Sequence, residues 1–333
     1  MVKVRRPSQA GAFYEGTPES LKLQIKTCFT HKLGPGTLPE LVKTGPRSVL
    51  GLICPHAGYM FSGPVAAHSY YKLALDGKPD VVIILGPNHS GYGSGLAIMN
   101  EGFWRTPLGD VEIDSQTANR IVRESRIIDV DDSAHSFEHS IEVQLPFLQY
   151  LYGSEFKIVP ICFLMQDISS AREVGQAVAK ILAEKNAVII ASSDMTHYEP
   201  QERAQRKDRE ALEAVEAMDE ARFYSTIEAN RISTCGYGPI AALITAAKIL
   251  GAKEAKLLCY KTSGDVIGDY SSVVGYAAVC FTKIVVQDGG RCLCSRENYT
   301  PRRALRSLRR TSYSLGHRPK SICNCGLPQG QTS

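Results

Sequence analysis

No apolar run in these 333 residues approaches the ~20 needed to span a bilayer. The opening Met1-Val2-Lys3-Val4-Arg5-Arg6-Pro7 also lacks the apolar stretch of a signal peptide. A cytoplasmic protein without a membrane partner is the expectation. A basic surface is missing from most of the chain as well. The net charge is +4, but nine Lys or Arg and two acids fall from Val286 onward, which leaves 29 basic and 32 acidic residues in Met1 to Val285. Clustered positive charge is what neutralises phosphates, so nucleic-acid binding is not expected of the main domain. There is no repeat at solenoid spacing. Paired cysteines are absent from the body too: six of the ten stand singly, among them Cys54, Cys162, Cys259 and Cys280 in apolar runs, where a free thiol acts as a small hydrophobe. A reduced setting fits that pattern. The Cys292-x-Cys294 and Cys323-x-Cys325 pairs of the tail are tighter than the spacers of about two to four residues in structural zinc sites.

What the chain does have is 44% hydrophobic residues, enough for a substantial core, and an alternation of strand-like and helix-like segments. Val49 to Cys54, Val81 to Leu85, Lys157 to Cys162, Ala187 to Ala191 and Ser272 to Phe281 read as buried strands. Helices are expected from Thr17-Pro18 to about Phe29, from Pro64 to Leu75, from Ser169 to Glu184 and from Pro239 to Leu250. Ala204 to Ala217 reads as an exposed, charge-rich helix. This alternation predicts an α/β fold, a mainly parallel or mixed central sheet flanked by helices on both faces. A single domain is expected over residues 1–285. Residues 286–333 form a basic tail, rich in Arg, Ser, Gly and Pro, with no patterned apolar face, and are expected to be disordered. A nucleic-acid-binding arm is the competing interpretation of that tail.

Three of the strand runs end in a polar motif that carries histidine: Pro55-His56-Ala57-Gly58-Tyr59, Gly86-Pro87-Asn88-His89 and Ser192-Ser193-Asp194-Met195-Thr196-His197. Loops beyond the carboxyl ends of parallel strands line the ligand crevice of α/β proteins, so three imidazoles at one sheet edge read as a site. Cys235 stands just before Gly236-Tyr237-Gly238-Pro239, near a helix amino terminus, where thiolate is favoured. His56, His89 and Cys235 together make a borderline-soft set suited to iron, copper or zinc with positions left open. Asp194 and His197 are close enough for the carboxylate to orient the imidazole, for proton transfer or ligand anchoring. In His135-Ser136-Phe137-Glu138-His139-Ser140-Ile141-Glu142, a helix start is expected, with Ser140 capping and Glu142 complementing the dipole. Glu138, His139 and Glu142 are candidates for the cleft edge.

These motifs, with Ala10-Gly11-x-Phe13-Tyr14, Thr234-Cys235-Gly236 and Asp269 to Ala277, resemble those of the Memo family over about Arg5 to Phe281. The resemblance implies the fold of class III extradiol dioxygenases, non-haem iron enzymes. By it, His56 and His89 match the two iron-binding histidines, Cys235 replaces a carboxylate ligand, and His197 matches the catalytic acid/base. A thiolate in place of that carboxylate changes the preferred metal and its redox behaviour, so ring cleavage does not carry over. Members of the family are metal-associated proteins without a settled activity. Phosphotyrosine-segment binding and a role in cell motility are described for animal members, and prokaryotic members resemble one part of a set with AMMECR1-like and radical-SAM proteins as pathway partners.

The expectation is therefore a metal-binding, dioxygenase-like cleft and a metal-dependent redox enzyme acting on a small-molecule ligand. Two alternatives stand beside it. One is a non-enzymatic protein that binds a peptide or anion in the same cleft, and the other is a hydrolase with Cys235 as nucleophile.

Overall fold

The computed structural model describes residues 3–44 and 47–284, and every expectation for the tail lies outside the described residues. The strands are β1 (Val4–Arg5), β2 (Val49–Cys54), β3 (Val81–Pro87), β4 (Leu96–Ile98), β5 (Phe103–Thr106), β6 (Gly109–Ile113), β7 (Asp129–Val130), β8 (Lys157–Phe163), β9 (Ala187–Ser192), β10 (His197–Glu199), β11 (Glu254–Thr262) and β12 (Val273–Thr282). The helices are α1 (Pro18–Thr30), α2 (Tyr59–Ala74), α3 (Ser115–Glu124), α4 (Leu145–Tyr152), α5 (Ile168–Leu182), α6 (Gln201–Glu216), α7 (Glu220–Asn230), α8 (Tyr237–Ile249) and α9 (Ser263–Ile267).

The sheet is mixed. Its parallel centre runs β6-β8-β3-β9-β2, and β12 joins β2 antiparallel and carries β11 and β10. On the other side β5 pairs antiparallel with β6 and parallel with β1, and β4 runs antiparallel along the end of β8. The Val, Ile and Leu runs of β2 and β3 are buried along their whole length, because helices cover both faces of the parallel centre. Cys54 neighbours Ser69 and Tyr70 of α2, whereas a Cβ on Gly51 would collide with Leu243 of α8. These positions lie three apart on β2, so α2 and α8 cover opposite faces. Helix α5 then packs on α8, while α1 and α4 pack on α2.

Two helices differ from expectation. Helix α2 begins at Tyr59, not at Pro64, which sits inside it. The carbonyl four residues before that proline belongs to Met60, and it loses the helical bond that a proline nitrogen cannot donate, at an exposed position in the first turns of the helix. Helix α6 is not an exposed face. It buries Ala204, Ala211 and Val215 along one stripe together with Lys207 and Asp208, and Lys207 reaches Glu199 at 2.6 Å. Asp208 accepts from the Thr196 amide at 3.0 Å, the Thr196 hydroxyl at 2.6 Å and the Tyr260 hydroxyl at 2.6 Å. It thereby pins the link between β9 and β10. No helix among the described residues is long and apolar enough to cross a membrane.

Candidate metal centre

Strand β9 lies between β3 and β2, and the pairings Leu85↔Ala191 and Cys54↔Ser192 bring the carboxyl ends of all three level. The residues that follow therefore share one edge. The histidine nitrogens of His56, His89 and His139 offer one ligand atom each, all within 4.8 Å of one another. His89 and His139 stack with centroids 4.5 Å apart, and His56 meets them edge-on at 5.2 and 5.3 Å. His56 is buried, His139 half-buried and His89 exposed, so the cluster opens to solvent on the His89 side.

The protonation state of His56 follows from its neighbours. The Ser192 hydroxyl has one proton, which goes to the Ser140 carbonyl at 2.6 Å, and it accepts from Gln144 Nε2 at 2.7 Å. His56 Nδ1, 2.9 Å from the same oxygen, must then donate, which leaves Nε2 as a lone pair. Burial, and then the charges of His139, His89 and His197, hold the His56 pKa well below the usual value. Burial lowers that of His139 to about 4, helped by His89 and opposed by Glu138. Both rings are neutral at pH 7, the form that ligates metal.

Glu138 is fully buried behind this cluster. Its Oε1 accepts from His89 Nδ1 at 3.0 Å and from the His139 and Ser140 amides at 2.8 and 2.7 Å, and its Oε2 accepts from the His89 amide at 2.5 Å. Burial would raise its pKa, but the His89 hydrogen bond and the His89 and His139 charges outweigh it and bring the carboxyl to about 2. A carboxylate on Nδ1 fixes the tautomer and turns Nε2 of His89 outward, an arrangement common to metal-ligating histidines. This donor set, three imidazoles with two oriented by hydroxyl and carboxylate, fits a transition-metal ion.

Cys235 Sγ lies 3.1 Å from His56 Nε2 and 3.2 Å from the Asp194 amide that donates to it. The close approach needs Gly236, since a Cβ there would sit 2.5 Å from the Ser192 carbonyl oxygen. The expected thiolate is not favoured. Cys235 precedes the N-cap Gly236 of α8, outside the first turn, while burial and then the Asp194 charge push its pKa up. Asp194 is buried, its pKa raised to about 6 by burial, and its Oδ1 accepts from the His56 amide at 2.8 Å. It does not orient His197 through a hydrogen bond. His197 is partly exposed, and its Nδ1 bonds the Ser233 carbonyl at 2.8 Å.

The segment carrying Glu138 and Glu142 departs most from expectation. It forms two short 3-10 turns, Ser133–His135 and Glu142–Gln144, before α4 begins at Leu145. Ser140 caps nothing and donates to the Pro87 carbonyl at 2.8 Å. Glu142 is fully buried away from the cleft edge, where it pairs with Arg5 and accepts from the Tyr14 hydroxyl at 2.6 Å and the Ser8 and Gln9 amides at 2.9 Å. Ser192 and Gln144, which set the His56 tautomer, carry no motif that sequence inspection singles out for that role.

Comparisons with known proteins agree with this picture. A profile described as Memo-like protein matches residues 5–280. A MEMO1 family protein of Methanopyrus kandleri is 55% identical over 281 residues, covering 84% of this chain and 99% of its own. Relatives from Methanocaldococcus jannaschii and Aeropyrum pernix are 50% and 49% identical, each again over 84% of this chain and 99% of theirs. Among solved structures, an uncharacterized protein from Escherichia coli K12 superposes with a TM-score of 0.50 at 14% identity, over 70% of this chain and 99% of that one, a likeness of fold alone. The chain belongs to the Memo family.

Proposed function

We propose that this protein holds a divalent or redox metal, iron, copper or zinc, at a dioxygenase-like cleft and acts there as a metal-dependent redox enzyme on a small-molecule substrate. The observation that carries this is the cluster of His56, His89 and His139, with Ser192 and Glu138 fixing Nδ1 protons so that Nε2 faces outward on two of the rings. His56 and His89 would hold the ion, with Cys235 beside His56 and His139 as the further donor. A bound metal would supply a Lewis acid and, for iron or copper, a one-electron couple. Cys235 ligates only as thiolate; a nearby cation reverses the balance that now keeps it protonated. Asp194, its pKa raised to about 6, and His197 would take and return protons.

Anaerobic purification followed by elemental analysis tests the proposal, with Cys235→Ser and His139→Ala alongside. Stoichiometric metal in the wild type that falls in either variant is the expected result; a metal-free protein after anaerobic loading with Fe²⁺, Cu⁺ or Zn²⁺ would refute it. His197→Ala should keep the fold and the metal but lose turnover, and a variant that loses the metal would make His197 a ligand instead. The 3.1 Å contact between Cys235 and His56 favours one second reading, a cysteine hydrolase. Alkylation of Cys235 that abolishes turnover with the metal content unchanged would select it.

A further inference from the structure

The segment that delivers His139 and Glu138 has little regular structure of its own, only the two 3-10 turns at Ser133–His135 and Glu142–Gln144. Something else must fix it. Arg5 is 7% exposed and grips the segment at three points. Its Nε donates to the His135 carbonyl at 3.0 Å, its Nη2 to the Glu138 carbonyl at 2.7 Å, and its Nη1 pairs with the Glu142 carboxylate. The guanidinium itself lies over the Trp104 ring, 4.5 Å from its centroid. Glu142 in turn gathers the chain just after Arg5, through the Ser8 and Gln9 amides and the Tyr14 hydroxyl. At the far end of that stretch Phe13 sets its ring edge-to-face against His139, 4.9 Å between centroids, and its carbonyl accepts from the Tyr59 amide at 2.7 Å, three residues beyond His56.

We propose that residues 5–14 are a built part of the metal centre, with Arg5 and Glu142 as positioning residues that hold the Glu138-His139 pair in register with His56 and His89. Neither touches the cluster. Arg5 acts through the backbone at 135 and 138, and Glu142 acts by holding Arg5 and the chain from Ser8 to Tyr14 in place. The planar fork of arginine is what allows one side chain to reach two carbonyls and a carboxylate together. Lysine offers no such fork. The proposal rests on the metal-binding reading above and adds that ligand geometry is set from a segment about 130 residues away in sequence.

The test uses Co²⁺ titration of the full chain under anaerobic conditions, by competition with a chromophoric chelator. Wild type, Arg5→Lys, Glu142→Gln and His139→Ala are compared, with Arg47→Lys as the control. Arg47 forms another buried ion pair, with Asp76 at 3.5 Å, but at the opposite end of β2 from the histidines. Arg5→Lys and Glu142→Gln should each weaken Co²⁺ binding by roughly 10- to 100-fold, the range typical of groups that orient ligands, and should change the visible spectrum of the bound ion. Arg47→Lys should lower the melting temperature and leave Co²⁺ affinity at the wild-type value. Should the Arg5 and Glu142 variants fail to fold, Phe13→Leu, outside the buried pair, must show the same loss of affinity. Wild-type affinity in every variant that folds among Arg5→Lys, Glu142→Gln and Phe13→Leu overturns the inference alone. A wild type that takes up no Co²⁺ overturns the metal reading, and the inference falls with it.

Discussion

His135 offers a quantitative test of the buried polar layer beneath the site. Its side chain is fully buried, edge-to-face with Trp104 at 5.6 Å, and neither ring nitrogen has a hydrogen-bond partner among the described residues. Burial, and then the nearby Arg5 charge, lower its pKa from 6.5 to about 4. The unfolded chain therefore binds a proton on this ring between about pH 6.5 and pH 4, where the folded chain does not. Folding stability falls as the pH drops through that window, and the loss is complete below the folded value. Between pH 7 and pH 5 this single group should cost about 2 kcal/mol by proton linkage. His135→Phe keeps an aromatic ring in the slot and cannot titrate. Any packing penalty from the larger ring is independent of pH and cancels in the difference between the two pH values. Urea unfolding of chelator-treated wild type and variant at pH 7 and pH 5 gives the number directly. Other buried histidines contribute to the acid lability of both proteins, so the wild type should lose about 2 kcal/mol more than the variant. Equal losses would refute the argument and would mean that His135 finds a partner, such as a buried water, for its charged form.

How far the sequence disclosed this molecule depends on the range of the interactions involved. Strands β2, β3, β8 and β9 of the parallel centre are legible because burial on both faces leaves a continuous apolar signal, with Val49–Cys54 and Ala187–Ser192 placed to within a residue, whereas β6, only half buried, leaves none. Strand ends are equally local, so His56 and His89 could be placed at one edge from the Pro and Gly beside them. The start of α2 is not legible because proline usually marks the first turn, whereas here Pro64 sits five residues beyond Tyr59, inside the helix. The role of residues 135–142 was illegible for a different reason. A hydroxyl and two acids before an apolar run look like a cap, and only contacts with Arg5, Tyr14 and Pro87, far away in the chain, show that they bind elsewhere. The behaviour of Cys235 was likewise decided by its surroundings: proximity to a helix start argues for thiolate, but burial beside Asp194 wins.

Three further outcomes follow from the same physics. A chain ending at Val285 should melt within about a degree of the full-length protein, because the tail composition offers no apolar face to bury; calorimetry that shows loss of folding would refute this. Asp208→Ala leaves the Thr196 and Tyr260 donors without their acceptor and should cost about 1–3 kcal/mol in urea unfolding, and an unchanged midpoint would show that water replaces the carboxylate. The last concerns Ser192, which is fully buried and whose oxygen accepts the Nδ1 proton of His56. In Ser192→Ala that proton loses its acceptor, and the ring is free to move it to Nε2, where it would occupy the lone pair facing Cys235. Nitrogen NMR of labelled histidine should show His56 protonated on Nδ1 in the wild type and on both nitrogens in exchange in the variant. Co²⁺ affinity should fall by roughly 10- to 100-fold. A single tautomer and unchanged affinity in Ser192→Ala would show that the protein fixes the His56 ring by packing alone, and the hydrogen-bond account of the ligand set would have to be abandoned.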